Sequence, residues 1–137
     1  MSTLTRRDIR EHLLKLLYLR DFHEDTELDD QIDLYFQVFA AGMSEDNISY
    51  IRNRYACIVS KLGEIDHIIA EAMSGWTITR IGKMELNILR LAVFEIKFDE
   101  EVPDRVAINE AVDLTKFYGS EDSSYGFVNG ILAKVVK

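Results

Sequence analysis

The sequence predicts an all-α protein, and three of its features support this prediction. The chain has 137 residues, of which 47% are apolar, so it can bury a substantial core. It contains one proline and seven glycines, too few for the many tight turns of an all-β fold. Its apolar residues recur at spacings of three and four, the period of amphipathic helices. No linker divides the chain, so we expect about seven helices in a single domain over residues 1–137.

Three helices are predicted in the N-terminal part of the chain. The first runs from near Thr5 to about Phe22, and the second ends before Gly42. The third begins after Ser44, a residue type that commonly caps a helix, and the acids that follow favour a helix start. Cys57 falls on the apolar side of this third helix, so we expect a buried, unreactive thiol.

Two further helices follow in the middle of the chain. Gly63 should end or bend the third helix, and a fourth should follow, with Trp76 in the turn beyond it. Residues 81–98 are apolar around nearly the whole circumference, which predicts a buried central helix. Pro103 suits the first turn of the sixth helix, because the N–H that proline lacks would be unpaired there.

The stretch FYGSEDSSYGFVNGIL, residues 117–132, joins the last two helices through a polar corner. Gly119 suits the end of the sixth helix, and the serines and acids of 120–123 can cap the seventh. Gly126 and Gly130 then form part of a strip of small residues suited to close helix packing.

Charge is unevenly distributed along the chain. The net charge of −8 argues against nucleic-acid binding over the whole surface. Residues 1–20 carry five basic and two acidic residues, whereas residues 21–51 carry nine acids and no Lys or Arg. The first helix can therefore present a local basic patch on an acidic body, although a solvated helix face explains the same residues equally well.

Motifs for catalysis or metal binding are absent from the sequence. It has no Gly-rich phosphate loop, no His-Glu-x-x-His helix and no Gly-x-Ser-x-Gly elbow. The three histidines, His12, His23 and His67, are more simply surface or boundary residues than ligands. A lone cysteine excludes a disulfide framework, and there is no signal peptide or long apolar run. We therefore expect a cytoplasmic protein without enzyme activity, cofactor, metal site or membrane span.

Two charged residues stand in the apolar fifth helix. An unpaired Arg90 would be costly there, so we expect a partly buried ion pair, with Glu95 or Glu110 as candidate partners. The alternative for Arg90 is an anchor at a protein interface. Glu85 lies near the helix start, where the helix dipole favours an acid, but an exposed Glu85 could also pair with a basic protein partner.

A series of sequence blocks occurs in a distinctive order along the chain. It begins with RRDIREHLLKLLY (6–18), Ile65-Asp66 and Trp76 with Arg80. It continues with MELNILRLAVFEI (84–96), VAINEAVDLTKFYG (106–119) and FVNGIL (127–132). Together these blocks resemble the NusB family of bacterial transcription antitermination factors over almost the whole chain. Asp8 departs from the family's often more basic first helix, and the corner before Phe127 is one residue longer than in some relatives.

The resemblance implies a fold, partners and a site. It implies two small helical bundles and binding of boxA RNA together with NusE, a small ribosomal protein. This complex would help RNA polymerase to pass terminators in ribosomal RNA operons. The residues that would contact RNA are Arg6, Arg7, Arg10, Phe117, Asp122, Ser123 and Phe127, and those at or near the NusE surface are Tyr18 and Glu85.

The implied site is physically reasonable. Arg6 and Arg10 are one helical turn apart, with Arg7 adjoining, so we expect three exposed guanidiniums that point into one groove. An aromatic corner with acid and hydroxyl groups can stack on bases and bond their edges, and we expect it beside the start of the first helix. So few basic contacts should bind RNA weakly, and a partner is therefore expected.

Two other functions are compatible with the sequence. The chain could be the accessory domain of a ribosomal RNA methyltransferase, although it contains no methyl-donor-binding pattern of its own. It could also be a helical dimerisation module whose acidic surface binds basic protein and no RNA. The sequence does not distinguish a monomer from a homodimer.

Overall fold

The computed structural model describes residues 4–73, 78–120 and 124–137 of the chain. Within these ranges it contains seven α-helices and a short 3-10 turn at Ile78–Arg80, and no strand. The helices are α1 (Arg6–Arg20), α2 (Asp25–Phe39), α3 (Glu45–Ser60), α4 (Leu62–Ala72), α5 (Lys83–Phe98), α6 (Asp104–Tyr118) and α7 (Ser124–Val135). The predicted all-α class with about seven helices is confirmed. The predicted turn at Trp76 lies outside the described residues.

The chain divides into two compact units, with the boundary between Val59 and Ser60. The first unit holds α1, α2 and nearly all of α3, and the second holds α4 to α7. This division agrees with the two small bundles that the family resemblance implies. The prediction that residues 1–137 form a single domain stays a prediction.

In the first unit, short polar residues set the helix starts. The Thr5 hydroxyl accepts a hydrogen bond from the Asp8 backbone N–H, and the Asp8 carboxylate accepts one from the Thr5 N–H. This reciprocal pair is a capping box. The Ser44 hydroxyl accepts from the Asn47 N–H at 3.1 Å, so the predicted serine cap of α3 is confirmed. The buried apolar residues of α1 and α2 are Leu13, Leu14, Leu16, Leu17, Ile32, Tyr35 and Phe36.

In the second unit, α5 is the central helix. Every residue from Glu85 to Glu95 is buried, and α5 packs against α4, α6 and α7. Because helices surround it, this segment can be apolar on all sides. The predicted buried central helix is therefore confirmed.

The glycines act differently from the sequence predictions. The chain breaks between α3 and α4 at Lys61, whereas Gly63 lies within α4. Gly119 ends α6 with an ordinary φ of −64°, so it does not supply the left-handed conformation usual for a glycine after a helix. Gly126 and Gly130 are exposed, with no heavy atom near the position of an added Cβ, so the predicted packing strip is wrong.

Cys57 is exposed, so the prediction of a buried thiol is wrong. The buried residues of α3 are Ile51, Tyr55 and Ile58, and a position two residues from Tyr55 points to the other side of the helix. The three histidines lie at surface or boundary positions, as predicted. Among the described helices, none has the length and apolar character that crossing a membrane requires. The described residues also contain no cluster of potential metal ligands.

Candidate nucleic-acid interface

The basic start of α1 exposes two of its three arginines. Arg6 and Arg7 are exposed, whereas the side chain of Arg10 is buried, with 6% of its surface accessible. Arg10 lies three and four residues before Leu13 and Leu14, which places it on the buried stripe of the helix. The expectation of three exposed guanidiniums in one groove is therefore wrong for Arg10.

Asp8 serves the start of α1. Its hydrogen bonds from the backbone and side chain of Thr5 hold the pKa of its carboxyl below the ordinary value. The carboxylate is therefore ionised at neutral pH and bound to the first turn of its own helix. Its position among the arginines has a structural reason, since it completes the cap that begins α1.

The corner between α6 and α7 carries three exposed aromatic rings. Phe117, at the end of α6, is 77% exposed, and Tyr125 and Phe127, at the start of α7, are 45% and 38% exposed. Nζ of Lys116 lies 5.2 Å from the centroid of the Tyr125 ring and so connects the two helix ends. Phe117 and Phe127 are predicted site residues. Lys116 and Tyr125 lie at the same corner but were not among the predicted residues, although the sequence shows how many aromatic residues are concentrated there. Asp122 and Ser123 lie outside the described residues.

Glu85 lies beneath this corner. Its carboxylate is 4% exposed, and Oε2 accepts hydrogen bonds from the backbone N–H of Ser120 at 2.6 Å and from its hydroxyl at 2.9 Å. Burial alone would raise the pKa of Glu85, but hydrogen bonding outweighs it and lowers the pKa, chiefly through the backbone N–H groups of Ser120 and of Glu85 itself. Glu85 is therefore not exposed, and its expected place at or near a partner surface stays a prediction.

Two glycines leave room for this carboxylate. A Cβ at Gly82 would collide with Oε1 of Glu85, and one at Gly119 would collide with the backbone oxygen of Thr115 and lie 3.3 Å from Oε2 of Glu85. Gly119 is therefore required mainly by the backbone oxygen of Thr115 in its own helix, and the carboxylate from α5 adds a tight contact. Oε1 is buried and has no hydrogen-bond partner within the described part of the chain.

Arg90 forms the partly buried ion pair that the sequence predicts, but with a partner that was not considered. Its Nε and one terminal nitrogen donate to the two carboxylate oxygens of Asp66, each at 2.9 Å. The other terminal nitrogen donates to Oδ1 of Asn87 at 3.1 Å. This two-point contact satisfies a guanidinium among apolar neighbours and needs no interface.

Tyr18 is half-buried near the end of α1. Its ring centroid lies 4.9 Å from that of Phe22, which is well exposed. The expected role of Tyr18 in binding a protein partner stays a prediction. The start of α1 and the α6–α7 corner belong to different compact units, and their expected proximity also stays a prediction.

Comparison with known proteins gives consistent matches. The sequence model of the NusB family matches residues 7–137. The transcription antitermination protein NusB of Lachnoclostridium phytofermentans is 55% identical, over 97% of this chain and 99% of that protein. NusB of Agathobacter rectalis is 41% identical, over 96% of this chain and 98% of that protein.

Solved structures agree with the sequence matches. The chain is similar to T. maritima NusB with a TM-score of 0.84 and 29% identity, over 98% of this chain and 92% of that one. It is also similar to a chain in the crystal structure of antitermination factors NusB and NusE in complex with dsRNA. That match has a TM-score of 0.75 and 28% identity, over 96% of this chain and 95% of the other.

Proposed function

The chain belongs to the NusB family, and on that basis we propose that it is a transcription antitermination factor. It binds boxA-type single-stranded RNA together with the ribosomal protein NusE. As part of an RNA polymerase antitermination complex in the bacterial cytoplasm, it promotes read-through in ribosomal RNA operons. It works by binding, without catalysis or a cofactor.

The observation that carries this proposal is the exposed aromatic corner of α6 and α7. Large aromatic rings at a surface do not contribute to the packing of the core. The bases of single-stranded RNA can stack on such rings, and this stacking strengthens binding. Phe117 and Phe127 face solvent on either side of the corner, on a chain similar over nearly its full length to NusB in a structure with NusE and RNA. The lysine beside them adds positive charge for the phosphates.

The site residues divide into two kinds. Arg6 and Arg7 attract and position the phosphate backbone, which carries no sequence information. Phe117 and Phe127 stack on bases, and Asp122 and Ser123 bond base edges. Arg10 supports the basic start of α1 from a buried position.

A protein partner follows from the charge. The net charge is −8, and the exposed arginines at the start of α1 are only Arg6 and Arg7, so RNA affinity should be weak without help. NusE supplies the missing surface, and Tyr18 lies at or near its contact. Glu85, which is buried within the chain, lies near the same contact.

The proposal is tested by titrating fluorescein-labelled boxA-type RNA with the chain, alone and with NusE, at two salt concentrations. We expect weak binding alone and clear strengthening with NusE. RNA affinity falls as salt is added, and replacing both Arg6 and Arg7 by alanine should make this fall less steep. The slope of log affinity against log salt should become less negative by about 1.4, at about 0.7 per lost phosphate contact. Arg105→Ala, an exposed arginine at the opposite end of α6 from the corner, is the matched control. The proposal fails if NusE neither binds the chain nor improves RNA affinity.

The similarity favours this function over a methyltransferase accessory domain. The match covers 99% of the L. phytofermentans protein, which is a transcription antitermination protein and has no room for an enzyme domain beside the matched part. The same titration separates these functions, because only the antitermination factor gains RNA affinity from NusE.

A further inference from the structure

The well-exposed large apolar side chains of the described residues fall into two groups with different electrostatic surroundings. One group forms the α6–α7 corner, where Lys116 lies beside the ring of Tyr125. The other group is Phe22, Leu34, Val38, Phe39 and Tyr50. It falls in the stretch of residues 21–51, which carries nine acids and no Lys or Arg. A ligand that covers this second group must therefore differ from RNA, because the acids repel phosphates.

Leu34 and Val38 form an apolar pair on the outside of α2. They are four residues apart, so they lie on one side of the helix, one turn after the other. Leu34 is two positions from both Ile32 and Phe36, which are buried, so it lies on the side of α2 away from the core. The side chains of Leu34 and Val38 are 50% and 60% exposed, and that of Phe39, next in the chain, is 65% exposed.

Acidic residues accompany this apolar pair. The helix contains no basic residue, and its five acids are all exposed: Asp25, Glu27, Asp29, Asp30 and Asp33. Glu27 and Asp30 are seven and four residues before Leu34, so they continue the same outer side of the helix toward its start. Asp33 lies toward α3, where it pairs with Arg52 at 2.6 Å. The outer side of α2 therefore presents two acids followed by two aliphatic side chains, and we call Glu27, Asp30, Leu34 and Val38 the α2 face.

We propose that the α2 face binds a basic protein segment that carries apolar side chains, in the form of an amphipathic helix. Its apolar side chains would cover Leu34 and Val38, and its lysines or arginines would pair with Glu27 and Asp30. This inference does not depend on RNA binding. It gives the chain a second protein-binding surface in addition to the one proposed for NusE.

Charge argues against a second copy of this chain as the occupant. Two α2 faces placed together would bring their acids together, and α2 has no basic residue to pair with them. NusE is expected on another side of the first unit. His12 of α1 contacts Tyr35 of α2 at 2.6 Å, and Tyr18 is six positions after His12, about 240° further around the helix.

The experiment measures the binding of a fluorescein-labelled probe peptide to the full chain by fluorescence anisotropy. The probe is as long as α2, with leucine at spacings of three and four and lysine at most other positions. One control peptide has the same composition but distributes its leucines around the helix, and a second has glutamate in place of lysine. We expect the probe to bind, and both control peptides to bind about tenfold more weakly or not at all.

The first variant removes the apolar pair. Leu34→Gln combined with Val38→Gln should weaken probe binding by about tenfold, because two aliphatic side chains no longer become buried in the complex. Glutamine favours helix about as well as leucine, and both positions are exposed, so urea unfolding should show little change in the stability of the fold. If this variant does not fold, the variant without the two acids provides the test.

The second variant removes the two acids of the α2 face. Glu27→Gln combined with Asp30→Asn should weaken probe binding by about threefold at low salt, and high salt should abolish the difference. The glutamine can still accept the backbone N–H of Glu24, which Glu27 accepts at 3.2 Å. Glu100→Gln combined with Glu101→Gln is the matched control, because it removes two exposed charges that follow α5, and it should leave probe binding unchanged.

Three results would overturn the proposal. The first is a probe that does not bind, or that binds the variants of the α2 face as tightly as the wild type. The second is displacement of the probe by saturating NusE, because the two would then share one surface. The third is self-association of the wild type that the Leu34→Gln and Val38→Gln variant loses in sedimentation, which would assign the face to a second copy. RNA affinity with NusE should be equal in wild type and variants, so a wild-type chain that binds no RNA would overturn the proposed function alone.

Discussion

The starts of α1 and α5 use an acid at the same helical position in opposite ways. Asp8 and Glu85 each lie three residues after the residue that precedes their helix. In α1 that preceding residue is Thr5, and Asp8 bonds its backbone N–H at 3.0 Å. In α5 it is Gly82, which has no side chain to complete a cap, and Glu85 instead accepts from Ser120, 35 residues later in the chain.

The difference shows what decides whether an acid at a helix start is a local or a long-range contact. A threonine or serine before the helix completes a capping box, which keeps the acid at the surface of its own first turn. A glycine leaves the carboxylate free to reach another segment and also makes room for it. The exposed arginines beside Asp8 remain open to solvent, whereas Glu85 is covered by the chain that returns over it.

The largest expected effect concerns the other long-range contact of α5. Asp66→Ala would leave the buried Arg90 guanidinium without its two-point partner, and should lower the free energy of unfolding by about 3 kcal/mol. Urea unfolding measures this change. The control is Asp33→Ala in the first unit, whose ion pair with Arg52 is exposed and should be worth less than about 1 kcal/mol. Equal losses in the two variants would contradict the contrast between the buried and the exposed pair.

The second prediction concerns the two environments of arginine at the start of α1. Arg10→Ala removes a buried guanidinium and leaves its surroundings unsatisfied, so it should lower the free energy of unfolding by about 2 kcal/mol. Arg6→Ala, at an exposed position one turn earlier, should change it by less than about 0.5 kcal/mol. Thermal or urea unfolding of both variants tests this. A neutral Arg10→Ala would mean that the buried guanidinium contributes little to the stability of the fold.

How much the sequence could reveal depends on the separation of the interacting residues. The helices and the Ser44 cap depend on neighbours within one or two turns, and the burial of α5 is visible in its local apolar pattern, so all were predicted. Arg10 was also within reach, because it shares the stripe of Leu13 and Leu14. The partners of Arg90 and Glu85 are 24 and 35 residues away in the chain, and no periodicity locates them.

The same separation explains what was missed at the candidate site. Phe117 and Phe127 were predicted from the family resemblance, and their exposure agrees with a surface role. The contact of Lys116 with Tyr125 requires the angle between α6 and α7, which only the folded chain gives. The buried carboxylate beneath them requires the position of a third helix.

The third prediction tests whether the corner binds bases. Phe117→Ala removes an exposed ring, so RNA affinity should fall by about tenfold while the stability of the fold stays unchanged. Fluorescence anisotropy with labelled RNA measures the affinity. Tyr50→Ala, which removes a comparably exposed ring from α3, is the control and should leave RNA binding unaffected. If both variants bind RNA like the wild type, the corner is not a stacking surface.

The smallest expected effect lies in the first unit, where a half-buried histidine makes a local polar contact. The Tyr35 hydroxyl lies 2.6 Å from Nδ1 of His12, where it can donate to a neutral imidazole. Burial, followed by the nearby charge of Lys15, lowers the pKa of His12, while Asp8 and Glu11 act weakly in the opposite direction. The unfolded chain therefore takes up the proton first as the pH falls, so acid favours unfolding.

Stability should consequently decrease as the pH is lowered from about 7.5 to about 5.5, through the usual titration range of histidine. His12→Gln cannot take up this proton and should show a flatter dependence over the same range, measured by urea unfolding at each pH. An unchanged slope in His12→Gln would mean that other groups set the pH dependence. A steeper one would mean that the imidazole is protonated in the folded protein. In that case His12 would donate the hydrogen bond and the Tyr35 hydroxyl would accept it, because a charged imidazole can only donate.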